Sequence, residues 1–289
     1  MAVKGSGVSG SLPADGGERH APSAAFRNGL PYVRFGHGPR PLIVFQGLTP
    51  ENKADKRTGR MYHFLGRQYT AYAVNRRPGL HPGYTLGDMA DDYATMVREH
   101  FGGPVDVIGV STGGSIALHF AADHPELVRR LVVHSAAHTL NDDAKRVQLD
   151  YARLAGLGQW RAASALMVGM MVPRKGLISR VRTPLVRAGA WLMSLKTPTD
   201  ASDLIVTVEA EDKLAFRDRL HQITAPTLVG GGTEDPFYSA ELFRETAAGI
   251  PNARLALYEG KGHAMLGKDF QREVQSFLAA GDTPRSDRS

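Results

Sequence analysis

Cysteine is absent from this chain of 289 residues. That excludes a disulfide framework, a thiolate nucleophile and any Cys-based metal site. It fits a reducing compartment, and a cytoplasmic protein is expected. Long apolar runs are missing as well, since none approaches the roughly 18 residues of a membrane span. No membrane span is therefore expected, although the 42% hydrophobic content is ample for a core. The amino-terminal stretch lacks the apolar segment of a signal peptide. Residues 1–25, rich in Gly, Ser, Ala and Pro, are expected to form a disordered tail, and residues 281–289 a flexible polar one. Acidic excess is also lacking, the formal charge being +6. The Lys and Arg residues look dispersed and no nucleic-acid motif accompanies them, so the charge reads as a solvated surface. Gly230-Gly231-Gly232 is not a phosphate loop, because it has neither a G-x-x-x-x-G-K-[ST] pattern nor a GxGxxG opening a helix. His134 and His138 lack a third acidic or His ligand at metal-site spacing. No metal and no cofactor are expected.

What is present centres on residues 104–125. Val105, Val107, Ile108 and Val110 read as a short strand buried on both faces. Ser111 follows at once, between Gly109 and Gly113, and Ile116, Ala117, Phe120 and Ala121 then recur at helical spacing. Strand, very tight turn and helix are implied. A serine lifted on so sharp a turn needs neighbours without a Cβ, and the helix start aims free N–H groups at the hydroxyl's surroundings. G-x-S-x-G alone arises readily by chance, so its position between a buried strand and a helix carries the weight.

Strands at about 41–45, 69–74, 105–110, 131–134, 225–230 and 253–257 alternate with helices at about 85–101, 112–123, 240–248 and 268–279. This rhythm predicts an α/β fold, a mostly parallel central sheet with helices on both faces. Residues 32–35 and 41–45, joined by Gly36-His37-Gly38-Pro39, read as a hairpin feeding that sheet. Residues 140–216 give no strand signal. They are helical and rich in Met and Trp, and Pro184 is expected to break the apolar stripe of Ile178, Val181, Leu185 and Leu192. The expected organisation is a core of residues 26–139 and 217–280 with a helical insertion at 140–216.

A serine hydroxyl near neutral pH needs a base within hydrogen-bond reach and a third group to orient that base. In a parallel sheet the loops after the strands converge at one edge. Three such loops carry Ser111, Asp235 and His263, in that chain order, and a fourth, Gln46-Gly47-Leu48, can supply an amide N–H. Of the neighbours Glu234 and Asp235, the shorter Asp235 holds an imidazole more stiffly, and Pro236 biases its backbone to an extended form.

These pieces resemble the α/β-hydrolase superfamily from about Pro31 to Leu278. F-Q-G-L follows an early strand, G-V-S-T-G-G stands as a nucleophile elbow, P-T-L-V-G-G-G-T-E-D-P surrounds the acid, and E-G-K-G-H-A surrounds the histidine. The resemblance implies Ser111 as nucleophile, His263 as general base and then acid, Asp235 as orienting carboxylate, and the N–H groups of Leu48 and Thr112 as oxyanion hole. It makes residues 140–216 a lid, with Trp160, Met167, Met170 and Trp191 as candidates to face substrate. The chain departs from the family in having Gln46-Gly47 where His-Gly is common, and the backbone donor survives that change. Serine at the elbow, rather than Asp, disfavours epoxide hydrolase and haloalkane dehalogenase chemistry.

The implied function is a serine hydrolase that cleaves a small to medium, largely apolar ester, thioester or lactone through an acyl-enzyme. A second reading uses the same scaffold for cofactor-free C–C cleavage, acyl transfer or cyclisation. A third is a ligand-binding protein with little turnover. A small-molecule substrate is the expected partner, and oligomeric state is left open.

Overall fold

The structure, a computed structural model, describes residues 24–172, 180–195, 197–264 and 267–280. The expected tails at 1–23 and 281–289 lie outside the described residues. Ala24 and Ala25, counted with the tail by the sequence, are tied in. Ala24 O accepts from the Tyr32 N–H, and Ala25 bridges Pro31.

The strands are β1 (Tyr32–Phe35), β2 (Arg40–Phe45), β3 (Tyr69–Val74), β4 (Val105–Val110), β5 (Val128–His134), β6 (Thr227–Gly232) and β7 (Ala253–Tyr258). They form a seven-stranded sheet in the order β1-β3-β2-β4-β5-β6-β7. Only β1 runs antiparallel to its neighbour. The expected hairpin is therefore wrong, because β1 pairs with β3 and not with β2. Residues 36–39 cross over the start of β3 instead of turning tightly. Gly38 passes so close that a Cβ there would lie 2.0 Å from the Gln68 carbonyl carbon, which is why that crossing needs glycine.

Around the sheet stand α1 (Lys56–Met61), α2 (Leu86–His100), α3 (Thr112–Asp123), α8 (Ala240–Gly249) and α9 (Gly267–Ala279). Alternate residues of the strands serve opposite faces. Ile43, Phe45, Val107, Leu131, Val133 and Val229 join the cluster that includes Met89 and Tyr93 of α2, Ile116 and Phe120 of α3, and Phe243 of α8. Leu42, Val44, Ile108, Val132 and Leu228 pack instead with Phe270, Val274, Phe277 and Leu278 of α9. Each such side chain, fully buried, contributes about 1.5–3 kcal/mol. The sequence places α2 by a capping box: the Thr85 side chain accepts from the Asp88 N–H, and the Asp88 carboxylate accepts from the Thr85 N–H.

Between β5 and β6 the chain forms α4 (Asp142–Gly156), α5 (Trp160–Met171), α6 (Arg182–Ser194) and α7 (Ser202–Asp212). Tyr151, Ala152, Ala155, Ala163, Ala201, Leu204 and Val208 make a small core of their own there. The expected break at Pro184 does not occur. Helix α6 opens at Arg182, so Pro184 falls in the first turn, where its missing N–H had no intrahelical acceptor. Ile178, counted in that stripe, lies outside the described residues. No described helix is long and apolar enough to cross a membrane.

Candidate active site

Ser111 leaves the end of β4 with φ 54° and ψ −128°, a left-handed conformation that costs about 1–3 kcal/mol for a residue with a Cβ. The turn is held on three sides. The Ser111 N–H donates to His134 O at 3.0 Å, and Ser111 O accepts from the N–H groups of Gly114 at 2.6 Å and Ser115 at 3.2 Å. The flanking glycines are dictated by space: a Cβ on Gly113 would lie 2.2 Å from Phe45 O, and one on Gly109 2.6 Å from the Ala117 Cβ.

Three loops meet at Ser111 as the sheet topology requires. His263, after β7, places Nε2 3.0 Å from Ser111 Oγ and Nδ1 2.8 Å from Asp235 Oδ2. Asp235, after β6, is buried, and its Oδ1 accepts from the N–H groups of Phe237 at 2.8 Å and Tyr238 at 3.3 Å. Both carboxylate oxygens are thus committed, so the group cannot swing away from the imidazole. Glu234 is exposed and meets the histidine loop only through its own N–H, donated to Lys261 O. The Tyr238 ring lies nearly parallel to the His263 ring, with centroids 6.1 Å apart.

The loop Gln46-Gly47-Leu48 passes beside the serine, where a Cβ on Gly47 would come within 3.2 Å of the Ser111 Cβ. The Gln46 side chain turns away and donates to Ala73 O at 3.1 Å. Arg76, just past the end of β3, holds this loop from behind. It is only 1% exposed. Its guanidinium donates to Gln46 O at 3.2 Å, to Gly47 O at 3.2 and 3.3 Å, to Thr49 Oγ1 at 3.1 Å and to Asn52 Oδ1 at 3.2 Å. Burial pushes its pKa down from the usual value, yet an arginine stays charged.

On the far side of the elbow, Glu211 of α7 is fully buried. Its Oε2 accepts from Thr112 Oγ1 and its Oε1 from Ser115 Oγ, both at 2.8 Å. Burial raises its pKa, and the two hydroxyl bonds and the Arg76 charge pull it back. Sequence reasoning missed both residues. The signal for Arg76 was its place just past a parallel strand, and the signal for Glu211 was a carboxylate closing an apolar helix.

Of the lid candidates, Met167 packs partly against the same small cluster as Leu48 and also against the main core, which Met170 joins. Trp160 touches that cluster and lines a shallow groove between α5 and α6. Trp191 faces away. It is 52% exposed, because the small residues of α6 take the inward face. His134 shares a hydrogen bond with the Tyr62 hydroxyl, and His138 Nδ1 one with Thr246 Oγ1. No group of three or more His, Asp or Glu that could hold a metal occurs among the described residues.

A model of the alpha/beta hydrolase family matches residues 36–274. A protein of Yersinia enterocolitica named as a carbamate hydrolase, RutD, is 28% identical over 207 residues, 70% of this chain and 72% of that one. A poly(3-hydroxyalkanoate) depolymerase of Ectopseudomonas oleovorans is 28% identical over 202 residues, covering 64% of this chain and 63% of its own. Among solved structures, the enol-lactonase of Burkholderia xenovorans superposes with a TM-score of 0.70 at 21% identity, over 89% of this chain and all of its own. MGS-M2, an alpha/beta hydrolase from a deep-sea metagenome, gives 0.72 at 18% identity, over 86% of this chain and 94% of its own. The chain belongs to the alpha/beta hydrolase family and is an enzyme, a hydrolase.

Proposed function

We propose that the enzyme cleaves small to medium, largely apolar esters, thioesters or lactones through an acyl-enzyme on Ser111. The observation that carries this reading is the chain of contacts from Ser111 Oγ to His263 Nε2 at 3.0 Å and from His263 Nδ1 to Asp235 Oδ2 at 2.8 Å. His263 takes the hydroxyl proton as Oγ attacks the acyl carbon, and Asp235 stabilises the imidazolium that forms. The tetrahedral oxyanion is met by the N–H groups of Thr112 and Leu48. The first belongs to the opening turn of α3 and has no acceptor within the helix. As the tetrahedral species collapses, His263 returns the proton to the leaving alcohol or thiol. Water, deprotonated by the same imidazole, then releases the acid.

Arg76 acts in this scheme as a positioning residue. A trans peptide points its C=O and its following N–H in opposite directions. By holding Gly47 O, the guanidinium fixes where the Leu48 N–H points, without touching substrate. Helices α4–α7 serve as the lid, and Met167 and Met170 give it adaptable apolar surface toward the acyl group. Relatives named as a polyester depolymerase and an enol-lactonase support acyl transfer to water, and a relative named as a 2-hydroxy-6-oxononadienedioate hydrolase supports cofactor-free C–C cleavage as the second reading.

The test is a fluorophosphonate probe followed by peptide mapping. The expected result is one adduct per chain, on Ser111. Protein that stays unlabelled while folded and pure would mean that Ser111 is not an activated nucleophile.

A further inference from the structure

The positive charge of this protein is not dispersed, contrary to the reading of the sequence. Residues 151–199 contain eight Lys and Arg residues and no Asp or Glu, whereas the rest of the chain has 27 basic against 29 acidic side chains. All of the cationic excess therefore sits on one part of the insertion. The apolar surface sits there too. Of the eleven large apolar side chains exposed among the described residues, nine belong to residues 140–216.

Helix α6 concentrates both features. It packs on α5 through small residues. Ala190 is its buried residue, and a Cβ on Gly189 would come within 2.9 Å of Val168. Arg182 adds a bond to Gly169 O at 2.6 Å. Its large residues point outward instead, with Trp191 52%, Leu192 65% and the following Leu195 55% exposed, and Leu185 and Met193 beside them. A surface helix normally turns its large apolar residues to the core, so this one is inverted. Exposed Arg180 and Arg187 border the apolar face, and Arg161 and Arg187 flank the groove that Trp160 lines. Among the described residues no ion pair engages these three arginines.

We propose that α6 and the adjoining face of α5 dock the enzyme on an anionic lipid bilayer. Trp191, Leu192 and Leu195 enter the interfacial layer, where an indole and short apolar chains are favoured, and Arg161, Arg180 and Arg187 meet the headgroup phosphates. The charge pattern selects this occupant. A second copy bound through the same face would set arginines against arginines, with no carboxylate on the segment to relieve them. A neutral partner would leave the cations without purpose. A bilayer rich in anionic lipid satisfies the apolar residues and the cations together. The proposal does not depend on the identity of the nucleophile.

The test is flotation of the full chain with vesicles of phosphatidylcholine alone and with vesicles in which about one third is phosphatidylglycerol. The protein is expected to float with the anionic vesicles only, and to be released by salt. Arg187→Glu, and Leu192→Ser combined with Leu195→Ser, are each expected to lower partitioning by at least about tenfold. Both variants should keep wild-type hydrolysis of a soluble short-chain ester and wild-type thermal unfolding. Wild-type protein that ignores anionic vesicles, or variants that still float with them, would overturn the proposal. So would sedimentation showing a dimer that Leu192→Ser dissolves, which would assign the face to a second copy. If the variants fail to fold, the wild-type contrast between the two vesicle types and its loss in salt still decide.

Discussion

At the carboxyl edge of the sheet ionisable groups are buried, and on α6 large apolar groups are exposed. Arg76, Glu211 and Asp235 lie out of water, and each is met by hydrogen-bond partners within the protein. Trp191, Leu192 and Leu195 stand in solvent, with nothing of this chain over them among the described residues. Both regions depart from the ordinary sorting of side chains, and they do so in opposite senses. Burying an ionisable group is costly unless it is fully bonded, so a fold that does it three times around one serine is holding atoms in place. Exposing apolar area wastes burial, so a fold that does it on one helix is keeping that helix for something outside the chain. Position belongs to the first region, and adhesion to the second.

Substitutions can break this contrast, and the edge is where they should cost most. Asp235→Asn is expected to lower kcat by about 10⁴-fold, and Glu234→Gln by less than about tenfold. Steady-state kinetics on one soluble ester, with both variants shown to be folded, checks the pair. The reverse ranking would move the acid to Glu234.

Arg76→Lys should come next. It keeps a positive charge but loses the fork that grips Gln46 O and Gly47 O together. Misdirecting one oxyanion donor costs about 10²–10³-fold in kcat, and KM should hardly move because the bond is made in the transition state. An unchanged kcat, or a loss confined to KM, would leave Arg76 a structural residue only.

The sequence revealed the edge unevenly. Ser111 was legible because glycines two residues to either side, a strand before and a helix after are all local signals. Asp235 was separable from Glu234 by side-chain length and by the following proline. Arg76 and Glu211 were not found, since what makes them matter is where the fold places them. Arg76 meets its partners 24 to 30 residues back along the chain, and Glu211 its partners 96 and 99 residues away. The hairpin reading failed for a related reason. Local turn residues cannot reveal that β3 slots between β1 and β2. On α6 the composition was read correctly as rich in Met and Trp. Which way Trp191 faces depends on Gly189 and Ala190 taking the contact with α5, and the segment's lack of acids went unweighed.

A smaller effect is expected from the insertion at residues 140–216, the proposed lid. Met167→Ala or Met170→Ala should shift the preferred acyl-chain length by one or two carbons, with kcat/KM on the best substrate changing less than about tenfold. Leu192→Ser should leave the profile unchanged, because that residue is 65% exposed and packs against no core cluster among the described residues. Profiling over a series of acyl esters checks this. A shift caused by Leu192→Ser and not by the methionines would merge the two regions that are separated here.

The smallest effect concerns stability against pH. Burial, with a smaller contribution from His263, pushes His134 down to about 3, and burial, then Arg219, brings His119 to about 4. Both are neutral in the folded chain, whereas an unfolded histidine takes up a proton near 6.5. Their contribution to stability is complete above about pH 6.5 and is lost as pH falls toward 4 and then 3. The melting temperature should therefore fall as pH is lowered from 7 toward 4, and fall less in His119→Gln. Parallel curves for the two proteins would show that His119 does not contribute.

Whether Ser111 forms the covalent intermediate is read from the rate of Ser111→Ala on a soluble ester. A loss of about 10⁴-fold or more in kcat is expected for the folded variant, the remaining rate being what an oxyanion hole and binding still supply. A rate within tenfold of the parent would contradict covalent catalysis at Ser111.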